Sequence, residues 1–335
     1  MRDRRRDIEA AKGLAILLVV FGHLVARHDP MGVHWYEPLR RAVYAFHMPL
    51  FLYLSGLVAV ESGLMRRRRA DLPWAAAVRA KRLLVPFFGL GVLTVLTKLA
   101  AARVVLVDNP PSGLASGLLA LVWDTAHSPA LSIWYLFVLF VVSLGTAAVL
   151  DGQPGRLRWL LAAALAVFWV HLPAVVYLDR VGMYAPFFLM GVAAGFTGRA
   201  WDIWLDRFWP WAMVVLLCCL GAVILFDHHW DEAQKLILLP VGAVSLPAIH
   251  GMFRSLREGR GQTFFLFLGR YSFMIYLFNT LSIGAAKGMM LSVWSWNGPN
   301  FPAFAAVLMC AGLAGPVLIK RYAFRRVRLL DRMTD

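Results

Sequence analysis

The apolar residues of this 335-residue chain fall in blocks of roughly 18 to 21, long enough as helix to cross about 30 Å of hydrocarbon. Few folds survive that constraint. Lipid offers no partner to exposed backbone groups, so only helices and closed barrels cross it. The alternation over ~10 residues that marks a membrane-barrel strand is absent. Composition agrees: 60% of residues are hydrophobic and 16% charged, with a mean hydropathy of +0.65, too little polar surface to coat a water-borne domain. The chain therefore reads as all-α, a polytopic transmembrane helical bundle of about ten spans in a single membrane-embedded domain over residues 1–335. The expected spans are 11–27, 43–61, 83–102, 130–150, 157–173, 181–198, 208–226, 236–253, 264–284 and 301–319. The segment 112–124 is too short to span and is expected at the interface. The first apolar block follows MRDRRRD without a small-residue cleavage site, so it is expected to be a span rather than a signal peptide.

A net charge of +15 would suit nucleic acid, but the basic residues sit in short loops between apolar blocks, where they act as topology signals. They cluster at Arg2, Arg4, Arg5 and Arg6, at Arg66 to Arg69, and at Arg79, Lys81 and Arg82. A further group runs from Lys320 to Arg332, while Arg27, Arg40, Arg41 and Lys98 fall on the opposite side. The bias places both termini in the cytoplasm and makes anionic membrane lipids the partners of this charge, with no nucleic acid. Cys218, Cys219 and Cys310 lie inside apolar blocks and read as small apolar residues.

Polar side chains within a span are expensive, so each needs a reason. In KGLAILLVVFGH, Lys12 and His23 are eleven positions apart. On a helix that is roughly 20° past three whole turns and about 16 Å along the axis. Both then project from one face, Lys12 at the inner mouth and His23 near mid-depth. Lys12 reads equally as a snorkelling side chain. An imidazole at that depth is less easily explained by packing, and it suits proton transfer from an attacking hydroxyl. In FHMPLFLYLSGL, His47 opens the second span and serves as a cap or as a second functional histidine, with Ser55 and Gly56 about two turns deeper. Arg79 and Arg82, three apart in RAKRLL, are helix-surface neighbours. They fit a phosphate site as well as they fit plain anchoring. Trp134 and Tyr135 read as interfacial or packing aromatics. His34, His127, His228 and His229 fall in loops, and His171 and His250 towards span ends. No set of residues has metal-ligand spacing, so no metal is expected, and no P-loop, GxSxG or HExxH motif occurs.

The residues just named resemble acyltransferase family 3, the multi-pass membrane enzymes that acylate envelope sugars and polysaccharides. DIEAAKGLAILLVVFGHL resembles the family's first-span signature in Lys12 and His23. FHMPLFLYLSGL is similar to the second in His47, Pro49, Phe51, Ser55 and Gly56, and RAKR to the arginine pair in Arg79 and Arg82. IWYLFVLF, PFFLMGVAAG and LGRYSFMIYLFN match weaker motifs, so the resemblance covers nearly the whole chain. It implies an enzyme of the inner (plasma) membrane that moves an acyl group, most often acetyl from cytoplasmic acetyl-CoA, to a hydroxyl of an extracytoplasmic sugar or glycan. His23 and His47 would be catalytic, with His23 the base. Lys12, Arg79 and Arg82 would hold the CoA phosphates, and Ser55, Trp134 and Asn279 would lie at the substrate. Asn279 departs from the family pattern, which often has histidine there; Asn cannot exchange a proton at neutral pH. A lipid or sugar transporter, or a flippase, is the competing expectation. Missing repeats and missing acidic residues at mid-span weigh against it.

Overall fold

A computed structural model describes residues 5–25, 30–103, 110–226, 230–256 and 259–326. Arg2, Arg4, Arg27, His228, His229, Arg328 and Arg332 lie outside the described residues. Within them the chain is helical, in the order α1 (Arg6–Gly22), α2 (Tyr36–Tyr44), α3 (His47–Glu61), α4 (Leu72–Ala101), α5 (Leu114–Ala120) and α6 (Trp134–Leu150). Then follow α7 (Leu157–Trp169), α8 (Leu178–Thr197), α9 (Arg199–Leu225), α10 (Trp230–Ser255), α11 (Arg260–Leu291) and α12 (Phe301–Tyr322). Among the described residues the single β-type contact is an isolated bridge between Met31 and Asn297.

Seven helical stretches among the described residues are long and apolar enough to cross a membrane. They cover α2–α3, α4, α6, α9, α10, α11 and α12. The three remaining expected spans correspond to α1, α7 and α8; α1 is 17 residues and α7 is 13, short of the ~20 a straight crossing needs. Helix α4 begins at Leu72 rather than residue 83, because Ala75, Ala76, Ala77 and Ala80 are strong helix formers. Arg79 and Arg82 are therefore inside this helix, not at its entrance. The segment around 112–124 holds only the seven-residue α5. Interior prolines, such as Pro86 of α4 and Pro247 of α10, are tolerated where neighbours satisfy the freed carbonyls.

The chain forms two compact units, one of residues 1–51 and 198–335, the other of residues 52–197. In the first, α1 packs on α11, α10 and α12, and α9 on α10. The α1–α11 crossing is set by two glycines: a Cβ on Gly13 would run into the Phe265 carbonyl, and one on Gly269 into the Glu9 carbonyl. Helices in lipid gain from such close approach through dispersion, since apolar side chains gain little by leaving lipid for protein. The start of α1 is also tied by charge. The Asp7 carboxylate accepts from Arg5 Nη2 (2.6 Å), His250 Nε2 (3.2 Å) and Arg254 Nη1 (3.4 Å). Arg254 in turn donates two bonds to Asp206, at 3.0 and 3.1 Å. Burial alone would raise the Asp7 carboxyl, but the hydrogen bonds from His250 and Arg5 outweigh it and hold the group below the usual carboxylate range.

The second unit repeats the glycine device. Cβ atoms on Gly56 of α3 and Gly191 of α8 would strike the carbonyls of Phe188 and Tyr53. Helix α6 packs against α4 and α8, and α7 against α8.

Candidate functional site

In the first unit, α1 ends at Gly22, and His23 is its C-cap residue (φ −100°, ψ 2°). The expected helix through residue 27 stops at this histidine; residues 26–29 lie outside the described set. The cause is on α2. A helix leaves its last carbonyls without partners, and two tyrosines of α2 take them. The Tyr36 hydroxyl donates to Phe21 O at 2.6 Å and the Tyr44 hydroxyl to Gly22 O at 2.9 Å. The Val25 N–H donates to the Tyr36 hydroxyl at 3.4 Å. Backbone bonds from His23 to Val20 O and from Leu24 to Phe21 O tighten the last turn. Gly22 is required here, because a Cβ would meet the Tyr44 ring.

This termination sets the position of the half-buried His23 ring. The ring makes no hydrogen bond to another described residue, and Glu37 on α2 is committed to Arg40 and Arg41. His47 is close enough for the two imidazoles to interact electrostatically. His47 is buried, and its Nδ1 donates to the Val43 carbonyl at 2.8 Å. That bond places the proton on Nδ1 and leaves Nε2 as the basic nitrogen of the neutral ring. The Tyr44 ring lies 5.0 Å from His47 between centroids. The structure thus brings the two expected histidines together, with one tyrosine serving both.

Lys12 is half-buried on α1, beside the Gly13 crossing. Asn279 is buried on α11 (1% exposed). Its Nδ2 donates to the carbonyls of Ile275 (2.8 Å) and Tyr276 (2.9 Å), while Oδ1 is buried without a partner. Flipping the amide would set its oxygen against those carbonyls, so the orientation is fixed by chemistry. A buried acceptor at this position is left without a donor in the protein.

In the second unit, the Ser55 hydroxyl is 2.6 Å from the Tyr135 hydroxyl. Arg79 lies near enough to interact electrostatically with Tyr135, and its Nε is buried without a hydrogen-bond partner. Arg82 is exposed. Trp134 is buried at the first turn of α6, with the Arg180 guanidinium over its ring (4.8 Å) and the Tyr184 ring against it (4.9 Å). Sequence reasoning passed over Tyr36 and Tyr44 and read Tyr135 as an interfacial or packing aromatic. The signal was a phenol in an apolar segment, since such a hydroxyl must find a partner in lipid. Among the described residues no three His, Cys, Asp or Glu side chains converge as metal ligands would.

The family model described as an acyltransferase domain matches residues 5–321. The chain belongs to acyltransferase family 3. It is a membrane acyltransferase, and the match favours the enzyme over a transporter. Two curated relatives are similar to this acyltransferase, both named nodulation protein NolL. The one from Mesorhizobium japonicum is 26% identical over 274 residues, 76% of this chain and 69% of the relative. The one from Sinorhizobium fredii is 31% identical over 191 residues, 56% of this chain and 48% of the relative. The alignment thus spans about half the length of the second relative. No solved structure matches.

Proposed function

We infer that this protein is an O-acyltransferase of the inner membrane, one membrane-embedded domain over residues 1–335. It takes an acyl group, acetyl in the first instance, from cytoplasmic acyl-CoA and delivers it to a hydroxyl of an extracytoplasmic sugar or glycan. His23 acts as general base: its ring accepts the acceptor's proton as the hydroxyl oxygen attacks the thioester carbon, and CoA leaves as the thiol. His47 supports this base from α3, its Nδ1 bond keeping the basic nitrogen in a fixed tautomer. Lys12, Arg79 and Arg82 carry the positive charge that the donor phosphates need. Asn279 Oδ1 accepts a hydrogen bond from the substrate.

The observation that carries this reading is the pairing of His23 and His47 at the tyrosine-capped end of α1, in a chain that matches the family from residue 5 to 321. An imidazole with no hydrogen-bond partner in the described protein is poised to accept one from substrate. The test is transfer by the purified full chain in proteoliposomes supplied with radiolabelled acetyl-CoA. The expected result is labelled, alkali-labile ester on extracted envelope glycan and stoichiometric release of free CoA thiol. Neither product forming over a panel of envelope glycans, with acetyl-, propionyl- and succinyl-CoA as donors, would contradict it.

A further inference from the structure

Two loops of the first unit are tied to each other. The loop before α2 and the loop between α11 and α12 meet at the Met31–Asn297 bridge, and the Gly298 N–H donates to Met31 O at 2.7 Å. Phe301, at the start of α12, locks the junction. Its N–H donates to Asn297 O at 2.9 Å, it is 1% exposed, and its ring lies 5.6 Å from those of Trp35 and Tyr36. Tyr36 carries the chain of contacts to α1. Its ring packs on Phe21 at 5.2 Å and its hydroxyl donates to Phe21 O, two positions before His23.

Within this cluster Trp35 is held but not covered. Its ring neighbours, Tyr36 and Phe301, meet it at steep angles of 78° and 62°, and 52% of its surface is exposed. A tryptophan that only marks the membrane interface needs no such backing. A large side chain presented by a pinned loop is preorganised to bind, because little is left to order when the ligand arrives.

The chemistry of the indole names the ligand. Its face is electron-rich and apolar. A pyranose ring offers the complement, a flat face of C–H bonds, and stacking leaves its hydroxyls free at the ring edge. The adenine of CoA also has a flat face, but the charge expected to hold its phosphates includes Lys12, about 16 Å along α1 from His23.

We propose that Trp35 is the stacking platform for the sugar acceptor: a pyranose ring lies on its exposed indole, two ring contacts from the last turn of α1. The proposal rests on the acyl-transfer reading above and deepens it with a residue for acceptor recognition. Trp35 lies outside every motif quoted earlier.

The experiment is steady-state acetyl transfer by the purified full chain in proteoliposomes, with radiolabelled acetyl-CoA saturating and extracted envelope glycan varied. The proteins are wild type, Trp35→Ala, Trp35→Phe and, as a control, Trp294→Ala, which removes a tryptophan of similar exposure (48%) from the loop after α11. Trp35→Ala is expected to raise the KM for glycan about tenfold, as truncating an aromatic anchor does. Its kcat and its CoA affinity, measured by isothermal titration, should hold at the wild-type values. Trp35→Phe keeps a smaller ring and should fall between, and Trp294→Ala should match wild type. An unchanged glycan KM in Trp35→Ala, a loss that lies in kcat or CoA affinity instead, or an equal rise in Trp294→Ala would overturn the proposal. If Trp35→Ala does not fold, Trp35→Phe decides alone, and a wild-type KM there overturns it too. Wild type that transfers no acetyl to glycan is a separate result: it removes the acyl-transfer reading itself, and this assignment with it.

Discussion

The two units solve the same packing problem and hold opposite kinds of chemistry. Each brings a pair of helices into backbone contact through reciprocal glycines, Gly13 with Gly269 in the first and Gly56 with Gly191 in the second. Beyond that they part. The first unit ties the start of α1 with Asp7, His250 and Arg254 and caps its end with Tyr36 and Tyr44. It presents imidazoles, groups that exchange protons. The second holds a buried Arg79 Nε–H without a hydrogen-bond partner and the Ser55–Tyr135 hydroxyl pair. On the proposed reading, the base His23 lies in the first unit and the phosphate-binding pair Arg79 and Arg82 in the second, so a variant at His23 should leave the task of that pair intact.

The largest expected effect tests the shared device. Gly13→Leu and Gly56→Leu each force a side chain into a backbone carbonyl that cannot yield. Overpacking costs about 1–3 kcal/mol even where neighbours can move. Both variants should therefore yield little monodisperse protein by size exclusion. Gly89→Leu, with nothing near its Cβ, should express as wild type. If only one glycine of the pair proves sensitive, the units are not built alike.

A smaller effect sharpens the difference in chemistry. Tyr44→Phe removes the bond to Gly22 O but keeps the ring beside His47. Acyl transfer should fall about three- to tenfold, the worth of one net hydrogen bond. CoA affinity should not change. A parallel loss of CoA binding would erase the division.

The smallest effect concerns the charged tie. Asp7 is held below the usual carboxylate range when folded, and its ordinary value is about 3.9. A depressed carboxyl contributes stability that is complete above the unfolded value and fades as pH falls through that value towards the folded one. Asp7→Asn should lower the thermal midpoint by a few degrees at neutral pH, and the gap to wild type should close below about pH 4. A constant gap across that range would mean that the carboxylate charge is not what ties α1.

Much of this was written in the residues. Hydrophobic block length and the missing barrel alternation gave the helical class, and the Lys12–His23 and His47–Ser55 patterns gave the candidate site residues. Three things escaped. The end of α1 at Gly22 depends on Tyr36 and Tyr44, which act from another helix, and no local propensity in FGHLV announces it. The early start of α4 was hidden because Arg79, Lys81 and Arg82 marked the edge of an apolar block counted from residue 83, although the alanines before and among them favour helix. Tyr135 looked like one more aromatic in IWYLFVLF; only tertiary structure shows its hydroxyl beside Ser55. Tertiary partners, not sequence-local signals, decide each of these cases.

His23→Ala, assayed in parallel for acetyl transfer and for CoA binding, tests the account most directly. Transfer should drop at least about a hundredfold, the usual worth of a general base, while CoA affinity stays at the wild-type value. Full transfer activity in this variant, or loss of CoA binding together with transfer in a folded protein, would contradict the assignment of proton chemistry to the end of α1.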